Sequence, residues 1–436
     1  MKSVMPSPEA VPPPADAGRN SNPSPSPTRR IGPGLITGAA DDDPSGIATY
    51  SQAGAQAGFG LMWTLVLTWP LMVAVQSVSA RVGRVTGHGL AFNMCRCFPQ
   101  PVVLVVVAGL FVANAINIGA DLSAMGAAVA LLSGGGDKLL AIAFGLGSLL
   151  AIVFIPYHRY VGFLRWATFS LAAYVGVVFT TPIDWAAVAR GIAVPRFDLD
   201  RETVTLIVAV LGTTISPYLF FWQSAQEVED VNCDADAEPL VKRPRQAERE
   251  LTRIRWDTAI GMAASNLIGL FIILTTAATL HAAGKTDIAT TQQAAEALRP
   301  IAGPAAFLLF SLGIVATGLL SVPILAASSA FALGEVQGWK VGLECKVGEA
   351  RRFYGVIAAS VVIGLAVLFL PIDPMKMLVW AAVVNGVIVV PIVAAMMIVA
   401  SRRSIMGRFV ASRSQLLLGW ATFVAMAGAA AALLVV

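Results

Sequence analysis

The chain has 436 residues, of which 56% are hydrophobic and 13% charged. Its mean hydropathy of +0.73 excludes a water-soluble globular domain, in which about a quarter of residues carry charge. The apolar runs have helix-spanning length and lack strand alternation, which excludes a β-barrel and predicts an all-α integral membrane protein. The formal net charge of +4 gives no reason to expect a nucleic-acid partner; the bilayer is the expected surrounding.

Residues 1–30 are rich in Pro, Ser and Ala, with no apolar periodicity and no signal-peptide core, so they are expected to form a disordered cytoplasmic tail. A transporter domain over 31–436 follows. Eleven spans are predicted, at about 33–55, 58–80, 101–131, 139–156, 166–182, 203–225, 257–280, 304–334, 353–370, 377–400 and 414–436. With the N-terminus inside, 23 of the 30 Lys and Arg residues fall on the cytoplasmic side. Positive-inside bias therefore sets the orientation in a cytoplasmic (inner) membrane, and an odd span count leaves the C-terminus outside.

The first span breaks its own helix. After the apolar run Gly34-Leu35-Ile36 come Asp41-Asp42-Asp43-Pro44-Ser45-Gly46. A charged side chain at the bilayer centre costs about 2.5–3.5 kcal/mol on insertion scales. Proline removes a helix hydrogen bond and glycine weakens the helix further. Irregular backbone at that depth is tolerated only where it is buried in protein or lines a wet cavity. The segment is therefore expected to line a site, and its carboxylates make that a site for a cation. The sixth span is interrupted in the same manner at Gly212-Thr213-Thr214-Ile215-Ser216-Pro217. Paired broken spans in corresponding halves are the best sequence pointer to a transporter's midplane site. They divide the chain into two inverted five-helix repeats, about 33–182 and 203–400, with 414–436 as an added helix.

In the third span Asn114, Asn117 and Asp121 share one helical face, as lining of a hydrated path or as interhelical hydrogen-bonding groups. Glu227, Glu229 and Asp230 below the sixth span are expected on a solvated face. The four cysteines, Cys95, Cys97, Cys233 and Cys345, fall on the cytoplasmic side and lack the second pair or nearby histidine of a zinc site, so reduced structural thiols and no cofactor are expected. His88, His158 and His281 fall in predicted loops.

Several stretches together resemble the Nramp divalent-metal transporters. GPGLITGAADDDPSGIATYSQAGAQAGFG is similar to their first span, which carries Asp-Pro-Gly-Asn, and LGTTISPYLFFWQ to their sixth, which carries Met-Pro-His. VGRVTGHGLA, ADLSAMGAAVAL, DTAIGMAASNLIGL and SRRSIMG match in the same order. The resemblance covers most of 31–436 and implies a LeuT-like fold of ten core helices. It departs at the metal site. Asp43 and Pro44 match, but Gly46 replaces the family asparagine, Ser216 the methionine and Tyr218 the histidine. Thr213 replaces an alanine, and Asn114, Asp121 and Ala124 stand at three acidic positions. Such a pattern resembles the Nramp-related branch that lacks the standard motifs and is associated with magnesium and manganese.

The expected site is all-oxygen. Asp43 is the main ligand and Asp42 a second, with the hydroxyls of Thr213 and Ser216, freed carbonyls near Ala40 and Thr213, and space left above Gly46. Oxygen donors suit Mg²⁺ and Mn²⁺, whereas a thioether suits softer transition metals. Mg²⁺ dehydrates reluctantly, so a roomy site suits its hydrated ion. Tyr218, Asp121, Asn114 and Asn385 are expected along the path or behind the ligands. The function expected is inward transport of Mn²⁺ and Mg²⁺ without proton coupling. A proton-coupled Mn²⁺/Fe²⁺ symporter and a cation-coupled small-solute carrier are the alternatives. An enzyme is not expected, because no intramembrane nucleophile–base pair is present.

Overall fold

The structure is a computed structural model that describes residues 32–155, 171–195, 200–234 and 236–435. The tail at 1–30, His158 and the first part of the predicted fifth span lie outside these residues. The described elements are all helical. The first break separates α1 (Pro33–Asp41) from α2 (Pro44–Ala57). Then come α3 (Met62–Thr86), α4 (Leu90–Cys95), α5 (Gln100–Ser133), α6 (Asp137–Phe154), α7 (Ala172–Thr180) and α8 (Trp185–Ala193). The second break separates α9 (Arg201–Thr214) from α10 (Pro217–Cys233). The chain continues through α11 (Ala247–Thr276), α12 (Thr291–Glu296), α13 (Arg299–Ala302) and α14 (Ala306–Gln337). It closes with α15 (Arg351–Val367), α16 (Pro374–Ser401), α17 (Arg403–Met406) and α18 (Arg413–Val435).

Eight of the described helical segments are long and apolar enough to cross a membrane. The remaining predicted spans differ for local reasons. The first is present as two short helices, the fifth is described only over α7, and the ninth is the 17-residue α15. Prolines start α1, α2, α10 and α16, where the missing N–H has no intrahelical partner to lose. Gly87, Gly134 and Gly338 end α3, α5 and α14 in the left-handed conformation that favours glycine.

The two broken helices sit inside, and α6 and α18 lie at the periphery with most of their surface outward. Each broken helix packs on the second span of the other half: α1 and α2 on α11, α9 and α10 on α3. The α1–α11 seam is very close, since Gly38 and Gly261 meet backbone to backbone. Asp257 of α11 accepts hydrogen bonds from the Gly34 and Leu35 amides at 2.7 and 3.3 Å. It thereby caps the first turn of α1 from a neighbouring helix, satisfying amides that a helix start leaves unpaired.

Three local expectations need correction. His281 lies not in a loop but in the π-helical turn that ends the α11 segment, with Nδ1 2.8 Å from the Ala55 carbonyl. The segment 226–256 is largely helical: α10 runs on to Cys233 and α11 starts at Ala247, ten residues before the predicted span. Finally, Glu227 is not on a solvated face. It is fully buried and accepts from Arg253, which also binds Glu250, and Glu250 pairs with Arg84. These charges leave water only because they answer one another across α3, α10 and α11. Glu229 likewise turns inward, accepting from the Leu343 amide. Burial pushes the thiols of Cys95, Cys97 and Cys345 upward, as for inert structural cysteines.

Candidate cation site

The two helix breaks face each other. Asp42 leaves helical geometry (φ −82°, ψ 51°) and Asp43 is extended (φ −71°, ψ 169°). Opposite them, Ile215 (φ −116°, ψ 64°) and Ser216 (φ −77°, ψ 125°) unwind before Pro217. Cross-links join the breaks: the Tyr218 hydroxyl donates to the Ala40 carbonyl at 3.0 Å, and the Ser45 and Thr213 hydroxyls lie 3.5 Å apart. The C-terminal ends of α1 and α9 and the N-terminal ends of α2 and α10 all meet here, so carbonyls and amides of both breaks face the aspartates.

Asp43 is the centre of this arrangement. Its Oδ1 accepts from the Ser45 hydroxyl at 2.6 Å and the Gly46 amide at 2.8 Å, capping α2, and its Oδ2 accepts from the Asn117 amide at 3.0 Å. Asp41 and Asp42 turn the other way. Both take the single Ser265 hydroxyl of α11, at 2.8 and 3.0 Å, and one proton cannot serve both at once. One oxygen of Asp41 has no hydrogen-bond partner. All three carboxylates are buried, and among the described residues none is paired with a Lys, Arg or His.

The remaining expected residues are all buried but are placed differently. Ser216 donates back to the Thr213 carbonyl at 2.7 Å and, more weakly, to Gly212 at 3.3 Å, so it occupies one of the freed carbonyls itself. Tyr218 occupies the carbonyl of Ala40. The space expected above Gly46 is taken: a Cβ there would stand 3.3 Å from the Thr213 hydroxyl and 3.4 Å from the Tyr50 ring. Even a methyl group would be tight at this position. Asn114 donates to Ser328, Ser329 and the Leu325 carbonyl of α14, and Asp121 accepts from Ser321 of the same helix. Asn117 alone of that face reaches Asp43, so interhelical bonding accounts for the other two. Asn385 is fully buried on α16, and among the described residues neither side-chain polar atom has a partner.

Among the described residues, no three His, Cys, Asp or Glu side chains gather in metal-binding geometry. The consecutive aspartates diverge, and the groups hydrogen-bonded to Asp43 are the Ser45 hydroxyl, the Gly46 amide and the Asn117 amide. Sequence reasoning missed Ser45 and Ser265. Ser45 sits inside the Asp-Pro-Ser-Gly break, where a hydroxyl two residues after an aspartate is a local hydrogen-bonding signal. Ser265 lies in DTAIGMAASNLIGL, beside Asn266, whose amide donates to the Leu65 carbonyl at 2.7 Å.

Comparison with known proteins gives a consistent result. The family model described as natural resistance-associated macrophage protein-like (Nramp) matches residues 34–436. A relative from Yersinia pestis (strain Pestoides F), the divalent metal cation transporter MntH, is 32% identical over 321 residues, covering 70% of this chain and 74% of that protein. Among solved structures, the Eremococcus coleocola manganese transporter superposes with a TM-score of 0.70 at 16% identity, over 94% of this chain and 86% of that one. Mhp1, a nucleobase-cation-symport-1 family transporter in a closed conformation, superposes at 0.53 with 15% identity, over 94% and 96% of the two chains. These two likenesses establish the fold.

Proposed function

The chain belongs to the Nramp family of divalent metal cation transporters, and from that premise we propose that Mn²⁺ and Mg²⁺ are its substrates, carried inward without a coupled proton. The observation behind this reading is three buried carboxylates, with no cationic side chain against them, where two helix breaks meet. A buried charge must be paired, and the transported ion supplies the partner. Asp43 is the carboxylate ligand. Thr213, Ser45 and Asn117 offer oxygen close by, Ser216 and the Ala40 carbonyl join once their present hydrogen bonds open, and Asp42 stands behind. Gly46 keeps the α2 start close to Thr213. The groups hydrogen-bonded around Asp43 are hydroxyls and amides, an oxygen-rich set that favours hard cations. Tyr218, Asp121, Asn114 and Asn385 line or brace the route.

Selectivity is the direct test. In proteoliposomes, millimolar Mg²⁺ is expected to suppress Mn²⁺ uptake and itself to accumulate. Ser216→Met should weaken that suppression and raise relative Cd²⁺ uptake. Mn²⁺ uptake indifferent to a large Mg²⁺ excess overturns the magnesium assignment.

The absence of coupling rests on a different observation. A proton carrier must titrate within the membrane at working pH, which histidine does without perturbation. Here the family's histidine position holds Tyr218, whose hydroxyl is engaged with a carbonyl, and of the α5 face only Asp121, bonded to Ser321, can titrate, with Asn114 and Ala124 leaving its relay incomplete. The counter-reading is that Asp43 or Asp42 itself releases a proton as the metal binds. Membrane potential alone drives a doubly charged ion by about 4.6 kcal/mol per 100 mV. A lumenal pH dye in the same vesicles is expected to stay constant during Mn²⁺ uptake. Stoichiometric acidification would instead assign a proton symporter.

A further inference from the structure

A groove of about 570 Å³, lined by none of the cation-site residues, opens between α3, α11 and the start of α18. Its two ends differ in chemistry. One is apolar, with Trp69, Pro70, Val73 and Leu418, and Trp69 is 44% exposed there. The other carries Arg81 and Arg255, with the Ser412–Ser414 start of α18. From Trp69 to Arg81 is twelve residues of helix, about 18 Å. One leaflet's hydrocarbon is about 15 Å deep. The polar end lies toward the C-terminus of α3 and the N-terminus of α11, the side on which the basic loops gather.

The two arginines are unlike their neighbours. Arg84, Arg249 and Arg253 each pair with a carboxylate. Among the described residues Arg81 and Arg255 pair with none, and Arg81 has one partner, the Val410 carbonyl at 3.1 Å. Arg81 is half-buried on the groove wall, and among the described residues no further hydrogen bond of its guanidinium is made. Beside them Ser412 and Gln415 form a reciprocal cap on α18, fixing that helix start against the groove. Glu248 stands at the same rim, one residue into α11, and the Arg255 side chain is seven residues further along that helix.

We propose that this groove is a binding site for one anionic phospholipid of the basic-side leaflet. Arg81 and Arg255 take the phosphodiester oxygens, Ser414 and the α18 start add donors, and an acyl chain runs along Val73 and Leu418 to Trp69. Guanidinium pairs phosphate through two parallel hydrogen bonds, and a cation at headgroup depth attracts anionic lipid. Such a lipid would tie α18 to α3 and α11.

The test uses the full-length protein in mild detergent, with melting temperature and lipid occupancy by native mass spectrometry as readouts. Phosphatidylglycerol is expected to raise the melting temperature well beyond phosphatidylcholine. Arg81→Gln/Arg255→Gln should weaken that response at least about tenfold, while Arg351→Gln/Arg352→Gln, on exposed arginines of α15, leaves it intact. Should the double variant fold poorly, Arg255→Gln alone, at an exposed residue, and Leu418→Trp, which fills the apolar end, are both expected to lower occupancy. Equal effects of the two lipids, an unchanged response in the variants, or full replacement by inorganic phosphate would each overturn the proposal.

Discussion

Asp43→Ala is expected to abolish Mn²⁺ and Mg²⁺ uptake while the protein still reaches the membrane. Removing one partner of a buried charge pair costs about 3–5 kcal/mol, and each 1.4 kcal/mol is a decade in affinity. The loss should therefore be about 100- to 4,000-fold, below detection in most uptake assays. Asp43 also caps α2 through the Gly46 amide, and an N-cap lost to alanine costs about 0.5–2 kcal/mol of stability. Asp43→Asn separates the two roles, since its carbonyl oxygen can still accept from Gly46 while the charge is gone. If charge at the ligand position is what matters, Asn should be as inactive as Ala but melt closer to wild type. Restored uptake in Asp43→Asn would show that Asp43 is a cap and not a ligand.

Asp42→Ala provides the matching comparison. Its carboxylate shares the Ser265 hydroxyl with Asp41 on the α11 side, away from Asn117 and Thr213. A smaller loss of uptake is expected there than at Asp43. The reverse ranking would move the ion to the α11 side of the break.

Much of this was legible in the sequence because the break residues are costly. Three carboxylates and a proline at bilayer depth have few physical solutions, and Gly212 to Pro217 repeats the pattern in the second half. The divergence of the aspartates was partly legible too, since consecutive residues cannot share one helix face. What points where was not. Ser216 read as a ligand and Tyr218 as lining or backing the path, and each donates to a carbonyl left free by the opposite or adjacent helix end. A freed carbonyl is satisfied by whichever donor lies closest, and that depends on the meeting of the two breaks, which no local pattern encodes. The space expected above Gly46 is narrowed from two directions: Tyr50 one turn on along α2, and Thr213, which lies far away in sequence on α9. Glu227 read as solvated because its partner Arg253 lies 26 residues on, in a segment whose charge looked like a loop.

Gly38→Ala and Gly261→Ala are expected to be strongly damaging methyl additions. At Gly38 a Cβ would fall on the Gly261 backbone, 2.6 Å from its Cα, and at Gly261 it would strike the Gly34 carbonyl. Backbone cannot turn aside as a flexible side chain can, so α1 must move off α11. Small residues are what allow membrane helices to approach this closely, and overpacking a filled interior costs about 1–3 kcal/mol. The displacement also reaches the site, because the Asp257 bonds to Gly34 and Leu35 and the Ser265 bonds to Asp41 and Asp42 all cross this seam. Uptake per folded molecule should fall at least about tenfold, together with a lower melting temperature in detergent. Gly147→Ala in α6 and Gly355→Ala in α15 are the controls, since a Cβ at either meets nothing within 4 Å. There the better helix propensity of alanine, about 0.5–1 kcal/mol, should leave stability equal or higher and transport unchanged. If Gly38→Ala and Gly147→Ala behave alike in both readouts, close packing of α1 on α11 is not what holds the aspartates in place.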